Sequence, residues 1–189
     1  MKNIAIFASG SGTNAENLVR FFRTSTYGRV SIVLSNRKDA GVIDRAQSLD
    51  VETFVFNREQ FYQSDDLLSL LLEREIDFVV LAGFLWLVPD NLLLAFENKM
   101  VNIHPALLPK YGGKGMFGHH VHAAVIENQE SESGITIHMV NRKYDQGNIV
   151  FQARCEVLAD DTPDTLANRI HQLEYEHFPL VVEKLLKEL

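Results

Sequence analysis

Over the first hundred residues, short apolar runs alternate with segments of helical period. The runs at about Asn3–Ala8, Arg29–Leu34, Glu52–Phe56, Asp77–Ala82 and Met100–His104 have the length of buried strands. Between them lie helical patterns at Asn14–Phe22, Gly41–Leu49, Ser64–Glu73 and Pro89–Glu97. In the third of these, Ser64 is a candidate cap, and Leu67, Leu68, Leu71 and Leu72 share one helical face. Strands and helices that alternate in this way predict βαβ units, hence parallel strands with helices on both faces.

Beyond residue 104 the rhythm changes. Lys110–Gly118 is a glycine-rich loop, followed by a predicted helix over His120–Glu127. Gly134–Val140 and Asn148–Arg154 alternate like strands and are joined by Asn141–Gly147, a spacing that fits an antiparallel pair. Thr162-Pro163 supplies a hydroxyl cap and a first-turn proline for a long last helix, with Leu166, Ile170, Leu173, Val181 and Leu185 as its expected core stripe. The fold class is therefore α/β: a Rossmann-like, mostly parallel sheet with an antiparallel strand pair toward the C-terminus and a long C-terminal helix. No linker or repeat divides the chain, so residues 1–189 are expected to form a single domain.

Charge narrows the partners. Lys plus Arg is 18 and Asp plus Glu is 25, a net charge of −7. That balance disfavours nucleic acid and anionic membranes as partners but leaves room for a phosphorylated small molecule in a local pocket. Cys155 is the only cysteine, which excludes an internal disulfide and suits a reducing compartment. The apolar run at the N-terminus is only about five residues, too short for a signal sequence. No stretch approaches the ~20 apolar residues of a membrane span. A cytoplasmic location is expected.

Two stretches carry candidate chemistry. Ser9-Gly10-Ser11-Gly12-Thr13-Asn14 lies between the first strand and the first helix. Glycines allow close backbone approach, and the helix start offers free N–H groups and a positive dipole end, a combination suited to phosphate. The same loop fits the dinucleotide pattern Gly10-x-Gly12-x-x-Ala15, which keeps a nicotinamide dehydrogenase open as a rival. Against that rival, the second strand ends at Leu34-Ser35-Asn36-Arg37, with no acid for a ribose hydroxyl.

The second stretch is Val101-Asn102-Ile103-His104-Pro105. Residues two apart on a strand share a face, so Asn102 and His104 project together, and Pro105 keeps His104 extended. An amide and an imidazole side by side at a strand end suit stabilisation of an oxyanion and proton transfer near neutral pH. The alternative is that both side chains satisfy loop backbone. A metal site built from His104, His119, His120 and His122 lacks ligand spacing, and none is expected.

Asn102-Ile103-His104-Pro105-Ala106-Leu107-Leu108-Pro109-Lys110-Tyr111 resembles the strand-end motif of the folate-dependent formyltransferases. The Ser9–Asn14 loop narrows the resemblance to the branch acting on glycinamide ribotide. Leu81-Ala82-Gly83-Phe84, Gly134-Ile135-Thr136-Ile137-His138 and Tyr144-Asp145-Gln146-Gly147 extend it over nearly the whole chain. It implies a formyltransferase fold, a cis Leu108–Pro109 bond, no metal, and two small-molecule substrates. A formyl group would pass from 10-formyltetrahydrofolate to the amine of 5-phosphoribosylglycinamide.

By the same resemblance Asn102, His104 and Asp145 are the catalytic residues, with Asp145 favouring the imidazolium of His104. Gly12, Thr13 and Asn14 would hold the ribotide phosphate, and His171 and Glu174 the rest of the ribotide. Leu85, Trp86, Leu87 and Val88, together with Asn102 and the segment Asn141, Arg142, Lys143, Tyr144 and Asp145, would bind the folate. Trp86 stands where many relatives carry arginine, and His171 where glutamine is common. From the residues alone, Asp145 reads as a turn acid before Gly147, and Glu174 fits an exposed helix face equally well.

Overall fold

A computed structural model describes residues 1–189. Seven strands form one sheet: β1 (Lys2–Phe7), β2 (Gly28–Ser35), β3 (Glu52–Val55), β4 (Phe78–Leu81), β5 (Met100–His104), β6 (Glu132–Met139) and β7 (Ile149–Glu156). Their spatial order is β3-β2-β1-β4-β5-β6-β7. The first five are parallel, while β6 runs antiparallel to both β5 and β7. The strand order reverses between β1 and β4, the crevice where open α/β sheets bind ligands.

Alternation along each strand sends side chains to two separate cores. Ile4, Ile6, Val80, Val101, Ile103, Ile135 and Ile137 face α1 (Thr13–Phe22), α2 (Gly41–Ser48), α6 (His119–Glu127) and α7 (Pro163–Lys187). Ala5, Phe7, Ile32, Leu34, Val79 and Leu81 face α3 (Arg58–Tyr62), α4 (Asp66–Glu73) and α5 (Asp90–Ala95). Helices thus cover both faces, as the alternating pattern predicts.

Three local features depart from the sequence expectation. The short helix α3 is additional. It is opened by a capping box in which Asn57 Oδ1 accepts from Gln60 N–H at 2.9 Å and Gln60 Oε1 accepts from Asn57 N–H at 3.0 Å. The cap position of α4 is Asp65 rather than Ser64, whose hydroxyl accepts instead from Asp66 N–H at 3.3 Å. Leu67 and Leu71 are buried there, with Leu68 and Leu70 partly buried against the same core, whereas Leu72 points to solvent.

The third departure concerns α7. Thr162 caps it as expected, but the buried row runs Leu166, Ile170, Glu174, Phe178, Val182 and Leu186, every fourth residue, with Leu173 and Leu185 only half-buried beside it. The predicted stripe left out the middle of that row, where a carboxylate sits. Pro179 lies within the helix and has no N–H for the carbonyl of Tyr175, four residues earlier. The side-chain amide of Asn17 donates to that carbonyl at 3.0 Å, which ties α1 to α7.

Candidate active site

A cleft of about 600 Å³ opens at the carboxyl ends of β1, β4 and β5. Its walls are the loop Ser9–Asn14, the turn Ala82–Leu85, the strand end Asn102–Pro105, the loop Gly113–Gly118, and His122, Tyr144, Asp145, His171 and Glu174.

At one end, Gly12 adopts φ +80°, and a Cβ there would lie 2.5 Å from the backbone of Val42, so only glycine fits. No side chain caps α1, and no protein group accepts the N–H of Thr13, Asn14 or Ala15. These free donors face the cleft at a positive helix end, as the loop composition predicts. Behind them Glu174, only 4% exposed, accepts from Asn14 Nδ2 at 2.8 Å and from His171 Nδ1 at 2.9 Å. The bond to Glu174 raises the pKa of His171 above its usual value, against the opposing effect of burial. The carboxylate of Glu174 is thus a buried part of the site, and the exposed-face alternative does not hold.

At the other end, Asn102 and His104 project from the same face of β5, while Val101 and Ile103 enter the α7-side core. Thr136, paired with His104 on β6, accepts from Leu108 N–H at 3.0 Å and donates to Ala106 O at 2.6 Å, which fixes the turn after the strand. The Leu108–Pro109 bond is cis. His104 is 3% exposed, and its Nε2 donates to Tyr111 O at 2.7 Å. Its Nδ1 faces Asp145 Oδ2 at 3.5 Å.

Asp145 comes from the β6–β7 loop, 43 residues beyond Asn102. It is held with φ +54°, and its Oδ2 accepts from Gly113 N–H at 2.8 Å. A Cβ on Gly112 would lie 3.2 Å from Asp145 Cβ, so the bare backbone there lets the two loops close on each other. Asp145 Oδ1 lies 3.5 Å from both Asn102 Nδ2 and His138 Nε2.

Burial raises the carboxyl pKa of Asp145, but the polar neighbours around it, the Gly113 N–H among them, outweigh burial, and the net shift is downward. Burial also pushes His104 down, and here Asp145 and the Tyr111 carbonyl oppose it without prevailing. The sequence reading expected Asp145 to favour an imidazolium at residue 104. Asp145 does favour the imidazolium, but desolvation is the larger effect, so an anionic Asp145 faces a neutral imidazole.

His138 carried no role in the sequence reading. It is 2% exposed; its Nδ1 donates to Met139 O at 2.9 Å, which leaves Nε2 to accept from Asn102 Nδ2 at 3.0 Å. This bond aims the Asn102 amide. The signal was the period-two spacing of Thr136 and His138, which has meaning only once β6 is known to pair with β5.

The sequence-predicted folate residues divide. Leu85, Asn102, Tyr144 and Asp145 line the cleft. Trp86, Leu87, Val88, Asn141, Arg142 and Lys143 do not. Trp86 packs edge-on to Phe56, 6.0 Å between centroids, Leu87 O accepts from Tyr62 OH at 3.0 Å, and Val88 is core. Asn141 bonds within its own loop, to Lys143 N–H and Gln146 O, and Arg142 pairs with Asp90 at 2.9 Å. Of the clustered histidines, His119 and His120 stay at the surface and only His122 is buried.

Residues 2–182 match the family model described as formyl transferase. The chain is 39% identical to the chloroplastic phosphoribosylglycinamide formyltransferase of Arabidopsis thaliana, over 99% of its own length and 66% of that protein's, so it spans about two thirds of that relative. It is 32% identical to the phosphoribosylglycinamide formyltransferase of Bacillus subtilis, covering 98% of this chain and 95% of the relative. The crystal structure of phosphoribosylglycinamide formyltransferase from Bacillus halodurans superposes with a TM-score of 0.88 at 34% identity, covering 98% of this chain and 95% of that one. The chain belongs to the formyl transferase family, among its phosphoribosylglycinamide formyltransferases.

Proposed function

We propose that the protein transfers a formyl group from 10-formyltetrahydrofolate to the amine of 5-phosphoribosylglycinamide, in purine biosynthesis. The observation that carries this reading is the convergence of Asn102, His104 and Asp145 at one end of a cleft whose other end is an uncapped helix N-terminus. The ribotide phosphate sits at Gly12, Thr13 and Asn14, on the free N–H groups at the start of α1, and His171 and Glu174 face its sugar. The pterin lies against Leu85, Asn102, Tyr144 and Asp145. Trp86, Leu87 and Val88 hold that wall from behind, and Asn141, Arg142 and Lys143 shape the loop that presents Asp145.

The amine nitrogen attacks the formyl carbon and forms the new C–N bond. The carbonyl π pair moves onto oxygen, where it is stabilised by Asn102 Nδ2, turning one N–H from its long 3.5 Å contact with Asp145, and by the Nδ1–H that His104 gains on protonation. Collapse breaks the bond to N10 of the folate. One proton must leave the amine and one must reach N10. The neutral His104 takes up the first, beside an anion that stabilises the imidazolium as it forms, and returns a proton to the leaving nitrogen. Holding both substrates in one cleft supplies the proximity contribution. No covalent intermediate with the protein is needed.

The test is to incubate the protein with 10-formyltetrahydrofolate, with and without glycinamide ribotide, and follow tetrahydrofolate release and formyl-ribotide formation. Ribotide-dependent release supports the reading. Release at the same rate without ribotide means hydrolysis, and no release in either case refutes it.

A further inference from the structure

The histidine that the reaction above leaves unused is His122, on the first turn of α6. It is 2% exposed, and its Nδ1 is fully buried with no hydrogen-bond partner. Buried polar groups are nearly always paired, so an unpaired one calls for an explanation. An orphaned acceptor costs less than an orphaned N–H, so the sealed Nδ1 is the bare nitrogen and the proton resides on Nε2. Nε2 also has no protein partner, yet it is not sealed off, and His122 lines the cleft. The result is a fixed N–H donor at the cleft wall with nothing in the protein to receive it.

Its neighbourhood narrows what it meets. His171, Glu174 and His104 are all within electrostatic range of the ring. His122 therefore lies near both the ribotide end of the cleft and the reacting centre. Glu174 is already engaged by Asn14 and His171. Val121 and Val125 of the same helix are buried as well, so the turn that carries His122 is fixed against the body of the protein. Burial pushes its pKa down to about 4, so the ring is neutral near pH 7 and adds no positive charge beside an amine that must itself stay neutral to attack.

We infer that His122 is a substrate-binding residue whose Nε2–H donates to an oxygen of the ribosylglycinamide, a sugar hydroxyl or the glycinamide carbonyl, and so sets the direction from which the amine approaches. The inference rests on the functional reading above and deepens it. It separates the ribotide half of the cleft from the folate half by a residue that bears on only one substrate.

The experiment uses the full chain and two variants. His122→Leu removes the donor, and His122→Gln restores an N–H near the position of Nε2. The expected result is a rise of about tenfold or more in the KM for ribotide in His122→Leu, the loss of one well-placed hydrogen bond, with the KM for 10-formyltetrahydrofolate within about twofold of wild type. The Gln variant should recover most of the ribotide KM, which a merely structural role would not predict. In the unmodified protein, ¹⁵N imidazole resonances should identify His122 as the Nε2–H tautomer and show that signal moving when glycinamide ribotide is added.

An unchanged ribotide KM in a folded Leu variant, or an Nε2 resonance that stays put at saturating ribotide, overturns the assignment. If the Leu variant does not fold, the resonance experiment on the wild-type protein decides alone. A wild-type protein that neither binds nor formylates ribotide sinks the functional reading and this one together. Normal wild-type turnover with an indifferent His122 sinks only this one.

Discussion

Replacing Asp145 by Asn removes one charge and very little volume, which makes it the most direct probe of the reaction centre. The new amide oxygen can keep the 2.8 Å bond from Gly113 N–H, so the loop need not move. What disappears is the anion 3.5 Å from His104 Nδ1. Two unit charges at that distance interact by ~5 kcal/mol at an effective dielectric of ~20. Water entering the open cleft and the dipole of the replacement amide reduce this, and ~3–4 kcal/mol of lost imidazolium stabilisation corresponds to a fall in kcat of roughly 10²–10³. Because Gly12, Thr13, Asn14, His171 and Glu174 at the ribotide end are not altered, the KM for ribotide should stay within about threefold of wild type. The assay is initial-rate formyl transfer at saturating substrates, with a thermal melt to confirm the fold. A folded Asp145→Asn protein retaining more than about a fifth of wild-type turnover refutes the reasoning, since it would show that the charge is not used in the rate-limiting step.

Further outcomes follow from single contacts. Gly12→Ala places a methyl 2.5 Å from the Val42 backbone at φ +80°, so it should cost ~1–3 kcal/mol of stability and raise the ribotide KM, as thermal melts and kinetics will show; a wild-type KM argues against phosphate at this loop. Gly147→Ala puts a methyl 1.5 Å from Met139 O and must displace the segment carrying Asp145; a shift of ~1 Å there should lower kcat by as much as ~10²-fold, and unaltered turnover contradicts the positional role of this loop.

The depressed pKa of His122, about 4 against an ordinary 6.5, has a pH consequence with a definite sign. The unfolded chain takes up this proton as pH falls through 6.5 while the folded chain resists until about 4, so stability is lost on acidification, by about 2 kcal/mol between pH 7.5 and 5. Chemical denaturation at both pH values should show His122→Leu losing less stability than wild type, and equal losses would mean that the ring is not buried in its neutral form.

Much of the architecture was legible along the chain because it follows local periodicity. Strands buried on both faces read as short apolar runs, and the shift at residue 110 to glycines and alternation marked the end of the parallel part. The overlooked helix α3 shows the limit: at five residues it has no period to detect, and only its Asn57–Gln60 box announces it. The buried row of α7 was misjudged in its middle because Glu174 is charged, and a charge on an apolar face is usually read as solvent-facing.

The sequence by itself determined the paired projection of Asn102 and His104 and the open N-terminus of α1, since both follow from geometry over a few consecutive residues: a two-residue strand period held by Pro105, and a glycine at positive φ before a helix. Only the tertiary structure decided that Asp145 reaches His104, that His138 aims Asn102, that Glu174 is buried between Asn14 and His171, and that His122 offers an unclaimed N–H to the cleft. Those contacts join residues from 3 to 160 positions apart, and most depend on strand order and register. The protonation states went with them: how far a carboxylate or an imidazole shifts depends on burial and on neighbours brought together by folding, and neither is written in the order of residues along the chain.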